Sequence, residues 1–454
     1  MLKLRQDQMT IWDCVLPKEL LNLNEELASI DKILDDEVFM KPFLKHWNVR
    51  IGRPTVPVET YLRMMYLKTR YKFGYHTLVD EVRDSFQWRR FCRISIDEKV
   101  PDHSTLVKLT QKYGEKIVQE LNQALITKVT QEKVIRSRKL RVDTTVVESN
   151  IHYPTDSHLL ADAIKVITRK AKKIQKALGE AGPTVMDRSR SAKKRILAIG
   201  KLLKRRSGQA VESVREITEE LVDKSIQTVL EAKEMLNHAE ENLKEKLDKS
   251  VKRQIQKLDT IVQTAEKVIR QSRKVNRGET HIPNRVVSLH DPDARPIQKG
   301  KLGVKTEFGF KLEITENEDR MVTDYKVHKG NPNDETLLED AIKRHIKLTG
   351  TVPHSVATDR GFTSRDNEKA LTSLGVKRVS MPKRGKKSKE RAELEKNRWF
   401  KNLQRWRAGG EGTISVLKRK YGLDKSLSRG HQGVSTWVGF GILTYNLRRV
   451  AAIK

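Results

Sequence analysis

Between two segments of strand character lies a long stretch with a different period. From residue 157 to about 274 the chain is highly charged, and apolar residues recur every three or four positions. They include Val211, Val214, Ile217 and Leu221, then Met235, Ala239, Leu243, Leu247, Val251, Ile255 and Leu258. That spacing puts them on one stripe of a helix, which must bury against another stripe. An amphipathic hairpin or coiled-coil-like pair is expected, as a solvated helical insertion over 157–280. Its basic start (Lys170, Lys172, Lys173, Lys193, Lys194, Arg195, Lys204, Arg205, Arg206) could also lie on a polyanion. Before it, Lys139 to Asn150 is short and β-branched, with Leu140, Val142 and Thr144 alternating with charged or polar neighbours. That pattern reads as a strand.

Strand character returns at about 285 with Arg285-Val-Val-Ser-Leu, then a polar turn, His290-Asp-Pro-Asp-Ala. KLGVKTEFGFKLEITE and MVTDYKVHKG read as neighbouring antiparallel strands. A helix from Asp334 to about Thr349 follows, then a strand, His354-Ser-Val-Ala-Thr, that runs into Asp359-Arg-Gly-Phe. A helix over 364–374, a short strand KRVSM, a charged helix or loop, and helices over 411–421 and 434–449 complete the chain. The fold class is therefore mixed α/β: a sheet flanked by helices, with the long helices inserted after its first strand. Residues 1–135 read as all-helical. VETYLRMMYLKTRYKFG and YHTLVDEVRDS give short helices, and Pro101-Asp102-His103-Ser104 reads as a helix start with Asp102 or Ser104 as N-cap. A chain of 454 residues is too long for one ordinary core, so two or three domains are expected.

The net charge is +32. Such a surplus repels itself in the free protein and points to a polyanionic partner, nucleic acid above all. Short helices with interspersed Arg and Lys, among them Arg53, Arg89 and Arg90, suit a helix-turn-helix-like DNA module, although a plain helical bundle has the same pattern. The two cysteines, Cys14 and Cys92, build neither a disulfide framework nor a Cys-based zinc site. No signal peptide and no membrane span is legible, so the chain is expected in the cytoplasm, with its DNA, and not at a membrane.

Two carboxylates stand in unusual places. Asp143 lies inside the β-branched strand Val142-Asp143-Thr144-Thr145-Val146, where a charge is costly unless paired or metal-bound. Asp359 ends the strand Ser355-Val356-Ala357-Thr358, and Gly361 lets the chain turn away. Cleavage of a phosphodiester needs a nucleophilic oxygen and neutralisation of phosphoryl charge. A pair of Mg²⁺ ions about 4 Å apart supplies both, held by converging carboxylates. Each motif taken singly is also what an ordinary turn or helix cap looks like. His152, Asp156 and Glu148 fit no common zinc spacing and read as local hydrogen bonding.

Several segments together resemble one family. Val142-Asp143-Thr144-Thr145, with Asn150 to Ser157 after it, and Ala357 to Phe362 look like the first two acidic motifs of bacterial insertion-sequence transposases with an Asp-Asp-Glu triad. So do Ser288 to Arg295 and His328 to Asp334. Gly52-Arg53-Pro54 with Pro101 to Leu106 resembles the helical domain that precedes the catalytic core, and Gly441 to Arg449 the last helix. The resemblance implies a helical DNA-binding domain over 1–135 and a ribonuclease-H-like catalytic domain over 136–454, interrupted by the insertion. It also implies two Mg²⁺ ions (Mn²⁺ able to substitute), recognition of terminal inverted repeats, and transfer of the transposon's 3′-hydroxyl to target DNA. Action at two ends implies a homodimer on DNA, and a nucleoid-associated protein.

The third acid must be a Glu after Asp359. Glu390, Glu393 and Glu395 lie in a Lys-rich run, where a solvated face is the simpler reading. Glu411 opens an amphipathic helix with Ile414, Leu417 and Tyr421 on its apolar face. Arg407 and Lys418 flank it with the spacings of a Tyr-Arg-Glu-Lys pattern carried by a related transposase group, with Gln404 standing in the Tyr position. The expected triad of catalytic and metal-binding residues is Asp143, Asp359 and Glu411, and Arg407, Lys418 and Arg419 are expected to contact DNA phosphates. Ordinary surface charge explains those cations equally well. The rival functions are a catalytically silent DNA-binding descendant and a nuclease without strand transfer.

Overall fold

Four principal helices open the chain. α1 (Glu25–Leu34) starts at Asn24, whose side chain accepts from the Leu27 amide at 2.8 Å, satisfying an otherwise orphaned donor. α2 (Val58–Arg70) carries Arg63, fully buried and bonded to Asp31 and Asp35 at 2.8 and 2.7 Å. α3 (Tyr75–Asp84) follows, and α4 (His103–Gln131) is capped by Asp102, the first of the two expected candidates, and kinks at Gly114. The structure is a computed structural model that describes residues 1–4, 15, 17–47, 52, 54–177, 182–205, 207–242, 248–279, 281–298 and 306–453. Arg53, Cys14, Arg206, Leu243, Leu247 and the first part of the strand expected from residue 301 lie outside them.

Contacts divide the chain into two compact units, Met1–Asn150 with Phe310–Lys454, and Ile151–Gly309. β1 (Lys139–Ser149) belongs to the first. The second unit holds α5 (Asp156–Ala177), α6 (Ser189–Leu202), α7 (Gly208–Asn242) and α8 (Lys249–Asn276). The two long helices of the expected pair, α7 and α8, are present, but they share their core with α5 and α6. α5 brings its own stripe, Leu160, Ile164, Ile167 and Ile174, against Leu221, Val222, Leu258 and Val262. Val211, expected on the seam, is half exposed. Arg285-Val-Val-Ser-Leu is not a strand. The side-chain amide of Gln271, on α8, bonds both the N–H and the carbonyl of Val286 at 3.0 Å, doing what a neighbouring strand would do. β2 (Arg295–Gln298) pairs antiparallel with residues 306–309 of β3 (Thr306–Asn317).

The rest of β3 opens the second half of the first unit. β4 (Val322–Val327) pairs antiparallel with it. α9 (Leu338–Thr349) crosses to β5 (Ser355–Thr358), which lies parallel to β1, and α10 (Arg365–Ser373) leads to β6 (Arg378–Ser380), parallel to β5. The sheet order in this unit is β4-β3-β1-β5-β6. An antiparallel hairpin on one side of β1 and two parallel strands on the other make a ribonuclease-H-like sheet. α11 (Lys389–Lys396), α12 (Arg398–Ala408), α13 (Gly410–Tyr421), β7 (Lys425–Ser426, on the far end of β1) and α14 (Gly430–Ile453) follow. α14 packs on α4, α1 and α2. Its Phe440, Leu443, Leu447 and Val450 share one core with Leu106, Leu109, Ile117 and Leu121. Asn122 of α4 donates to the Gly439 carbonyl at 3.0 Å.

Candidate active site

Parallel pairing of β1 with β5 runs in register from Lys139 opposite Ser355 to Val142 opposite Thr358. The next residue of each strand is an aspartate, so the register alone brings Asp143 and Asp359 to one level on neighbouring strands. Asp359 stands where β5 stops. Its carboxylate accepts from the Gly361 amide at 2.8 Å and caps the short turn Arg360–Phe362. Asp143 accepts from the Thr144 amide at 2.8 Å, and its side chain is 26% exposed. Burial, then the neighbouring charges of Asp359 and Asp334, push its carboxyl up to about 6, against the pull of Thr144 and Arg407. This is a site that crowds negative charge together.

The structure adds an aspartate that the sequence analysis had not placed in the site. Asp334 follows β4 by way of Pro332 and Asn333. Its Oδ1 accepts from the Thr144 hydroxyl at 3.1 Å and from the Lys311 ammonium at 2.9 Å. Lys311, nearly buried on β3, also donates to the Pro332 carbonyl at 2.6 Å. Asp334 Oδ2 and Asp359 Oδ1 both lie against Gly361. A Cβ at that position would meet them at 2.9 and 3.0 Å, so only glycine lets the two carboxylates come this close. His328 at the end of β4, in the same motif, bonds the buried Glu313 at 2.7 Å and fixes the strand from which the loop departs.

The third wall is the junction of α12 and α13. Arg141 of β1 and Glu316 of β3, both nearly buried, form a bidentate pair at 2.9 and 2.6 Å. Arg141 also donates to the Trp406 carbonyl at 2.7 Å, at the end of α12, and Thr413 of α13 donates to Glu316 at 2.8 Å. The junction therefore rests on the sheet through one ion pair. A Cβ at Gly410 would meet Arg141 Nε at 2.9 Å, so glycine is required there too. Gln404 donates to the Ser380 and Thr358 carbonyls at 2.8 and 3.3 Å, tying α12 to the strand end beside Asp359. Its Oε1 accepts from Arg407 Nε at 3.3 Å, and Arg407 Nη1 lies 3.9 Å from Asp143 Oδ2.

Glu411 sits on the first turn of α13, exposed, just past the junction. Of the other glutamates, Glu395 is engaged by Lys387, Arg391 and the Lys383 amide, Glu393 pairs with Lys396, and Glu390 is exposed. Lys418 is half-buried on α13. Arg419 is exposed, and its carbonyl accepts from Lys72 at 3.0 Å. Arg89 and Arg90 lie on the short helix Phe86–Phe91. Arg89 spends its guanidinium on the carbonyls of Arg83, Ser95 and Glu98, at 3.2, 2.8 and 3.0 Å, and so braces its own loop. Arg90 is half-buried. Asp156, in the second unit, pairs with Arg285 at 2.6 Å.

The site's donors are carboxylates, with no Cys or His among them, which suits a hard divalent cation. Burial, and after it the crowding of like charges, raises Asp143, and such a cation would relieve the crowding. Among the described residues no three His, Cys, Asp or Glu side chains stand close enough to hold one ion as they are. The described helices include none long and apolar enough to cross a membrane.

Residues 16–112 match the family model described as a transposase domain (DUF772), and residues 259–447 match that of the transposase DDE domain. The second match takes in Asp334, Asp359, Arg407 and Glu411. A relative from Rhizobium meliloti, described as an uncharacterized protein, ORF8 in the nfe locus, is 29% identical over 128 residues. That alignment takes in 27% of this chain and 62% of the relative, so the chain spans less than two thirds of the relative's length. No solved structure matches.

Proposed function

Given that the chain belongs to the insertion-sequence transposases of the Asp-Asp-Glu type, we propose that it cleaves the ends of its own element and joins the freed 3′-hydroxyl to target DNA. The reaction centre is Asp143, Asp359 and Glu411, with Asp334 as a positioning carboxylate. The observation that carries this reading is the forced meeting of acids at Gly361 and Asp143. A strand register, a glycine and a buried lysine are all spent on holding carboxylates that repel one another.

The family works with a divalent metal, and we take it to be two Mg²⁺ ions, replaceable by Mn²⁺, held by Asp143, Asp359 and Glu411. When bound, the metal supplies charge neutralisation at the phosphoryl group and a more acidic nucleophile. The chain's own groups do the rest. In the first step a water oxygen bonds to phosphorus, the P–O3′ bond at the transposon end breaks, and the departing 3′ oxygen takes up a proton. In the second, that 3′-hydroxyl loses its proton as it bonds to a target phosphorus, the target's P–O3′ bond breaks, and the departing target 3′ oxygen takes up a proton. Arg407, steadied by Gln404 and facing Asp143, is placed to hold a non-bridging phosphate oxygen. Lys311 and Thr144 both donate to Asp334 Oδ1 and so hold its carboxylate in place, with Oδ2 beside Gly361. Terminal inverted repeats, target DNA and a second copy of the chain are the partners, and the helices of 1–135 with Lys418 and Arg419 supply DNA contacts.

The test is Mg²⁺-dependent cleavage and joining of DNA carrying the element's own ends, comparing wild type with Asp143→Ala, Asp359→Ala and Glu411→Ala. The proposal requires that each variant binds DNA and fails to cut. Normal cutting by Glu411→Ala removes the third ligand and sends the search to Glu390, Glu393 and Glu395. Cutting without joining leaves a nuclease, and binding without cutting under either metal leaves a DNA-binding descendant.

A further inference from the structure

On the first unit, from the α12–α13 junction outward, α13, α14 and the β3–β4 turn line a cavity of about 540 Å³. Five cations line it, Arg320, Arg419, Lys420, Arg448 and Arg449, and no carboxylate does. Arg320, Arg419 and Lys420 are exposed and Arg448 is paired with Glu26, and five positive charges around so small a space make it attractive to an anion. Two of them are already tethered. Arg448 reaches the Tyr421 hydroxyl at 3.0 Å and Glu26 at 2.9 Å, and Arg449 donates to the Asp319 carbonyl at 2.9 Å.

Arg320 adds an independent sign. It stands in the β3–β4 turn with φ of +60°, a conformation that favours glycine or asparagine. Its backbone is held there by the Tyr445 hydroxyl, which donates to the Arg320 carbonyl at 2.7 Å. A turn that would be easier to make with glycine instead carries a guanidinium into the cavity lining. On α13 the lining residues Gly412, Thr413, Val416, Arg419 and Lys420 form one helical stripe. That stripe begins beside Glu411 and reaches the cations eight to nine residues on, roughly 12 Å along the helix.

We infer that this cavity is a backbone-phosphate site for DNA that enters the reaction centre, independent of base sequence. This rests on the transposase reading above, because the same α13 carries Glu411 at one end and the phosphate site at the other. A phosphate gripped here sets the register of the strand relative to the carboxylates. The planar guanidinium groups suit the tetrahedral phosphate oxygens through paired N–H donors.

The experiment uses the full chain and short duplexes of arbitrary sequence, without divalent metal, so that binding is read in the absence of cleavage. The variant is Arg320→Gly with Lys420→Ala. Glycine relieves the left-handed backbone, and Lys420 is an exposed helix residue, so folding is retained and is checked by the melting temperature. A charge-matched control is Lys369→Ala with Lys377→Ala, both exposed. The expected result is a salt dependence of log affinity whose slope falls in magnitude by about 1 to 2, at roughly 0.9 per lost phosphate contact. The loss is uniform across sequences, with the control unchanged. An unchanged slope in the variant overturns the phosphate site while leaving the carboxylate chemistry to its own cleavage test. If the variant and the control lose the same amount, general charge is responsible and the site falls. If inorganic phosphate raises the wild-type melting temperature but the DNA slope of the variant is unaltered, the cavity takes a free anion and the DNA assignment falls. Absence of DNA binding by wild type overturns both readings together.

Discussion

The ion pair beneath the α12–α13 junction can be broken from one side. In Arg141→Met, Glu316 loses both of its bonds to the guanidinium, at 2.9 and 2.6 Å, and keeps the Thr413 hydroxyl at 2.8 Å. The two side chains are 5% and 4% exposed, so water does not replace the lost partner. An uncompensated buried carboxylate of this kind costs about 3–5 kcal/mol. Each kcal/mol moves the midpoint of a large domain by about 2–4 °C, so a drop on the order of 10 °C is expected. Urea denaturation at fixed pH measures the loss directly. The partner variant Arg141→Met with Glu316→Leu removes the orphaned charge and is expected to recover most of it, because a buried ion pair and a well-packed apolar pair are often nearly equal in stability. Cleavage separates the two effects. The bond from Arg141 to the Trp406 carbonyl is absent in both variants, so Arg407 and Glu411 stay poorly placed, and the double variant is expected to be stable yet at least tenfold slower in single-turnover cleavage. A loss below about 1 kcal/mol for Arg141→Met, or no recovery in the double variant, would refute the role given to this pair.

Three further outcomes follow from the carboxylates. In the metal-free protein the Asp143 carboxyl is raised from 3.8 to about 6. Between those values the folded chain keeps a proton that the unfolded chain has released, so stability falls as pH rises through that window and levels off above it. The loss is on the order of 3 kcal/mol. Asp143→Asn should remove this dependence and stabilise the metal-free chain at pH 7, which urea titrations at two pH values will reveal, and equal pH profiles for the two proteins would contradict it. Asp334→Asn leaves Lys311 without its counter-charge, and it should weaken Mn²⁺ binding and slow cleavage while DNA binding is kept. Calorimetric titration with Mn²⁺ reads this apart from activity, and an unchanged affinity would remove Asp334 from the site. Gly361→Ala places a methyl group 2.9 and 3.0 Å from two carboxylate oxygens. It should cost about 1–3 kcal/mol and depress cleavage more than DNA binding, and a variant that cuts at the wild-type rate would show that the close approach is not needed.

Much of this could be read in one dimension. A β-branched run with an aspartate in its middle, and another that ends on Asp-Arg-Gly-Phe, are local signals, and both became strands of the same sheet with Asp143 and Asp359 in register. The helical period of 157–274 was equally local, and it predicted α7 and α8. It could not count the partners, because two stripes that bury against each other look the same as two stripes in a four-helix core. The Arg285-Val-Val-Ser-Leu segment misled for a related reason. Its apolar residues are buried, but a side-chain amide satisfies its backbone, and nothing in the segment announces that.

What the sequence determined by itself was periodicity, charge and motif: an insertion of long helices between strand-bearing segments, a cationic chain fit for nucleic acid, and two aspartates, one inside a strand and one at a strand's end. These properties follow from neighbours three, four or two residues apart. Only the tertiary structure decided that Asp334 shares a site with Asp359 across Gly361, and that Arg141 anchors the helix junction carrying Arg407 and Glu411. It also decided that α14 closes the core of the opening helices and, with the β3–β4 turn, walls a cationic cavity. Each of these joins residues far apart in the chain, and such a meeting is set by how whole elements pack, which no local pattern encodes.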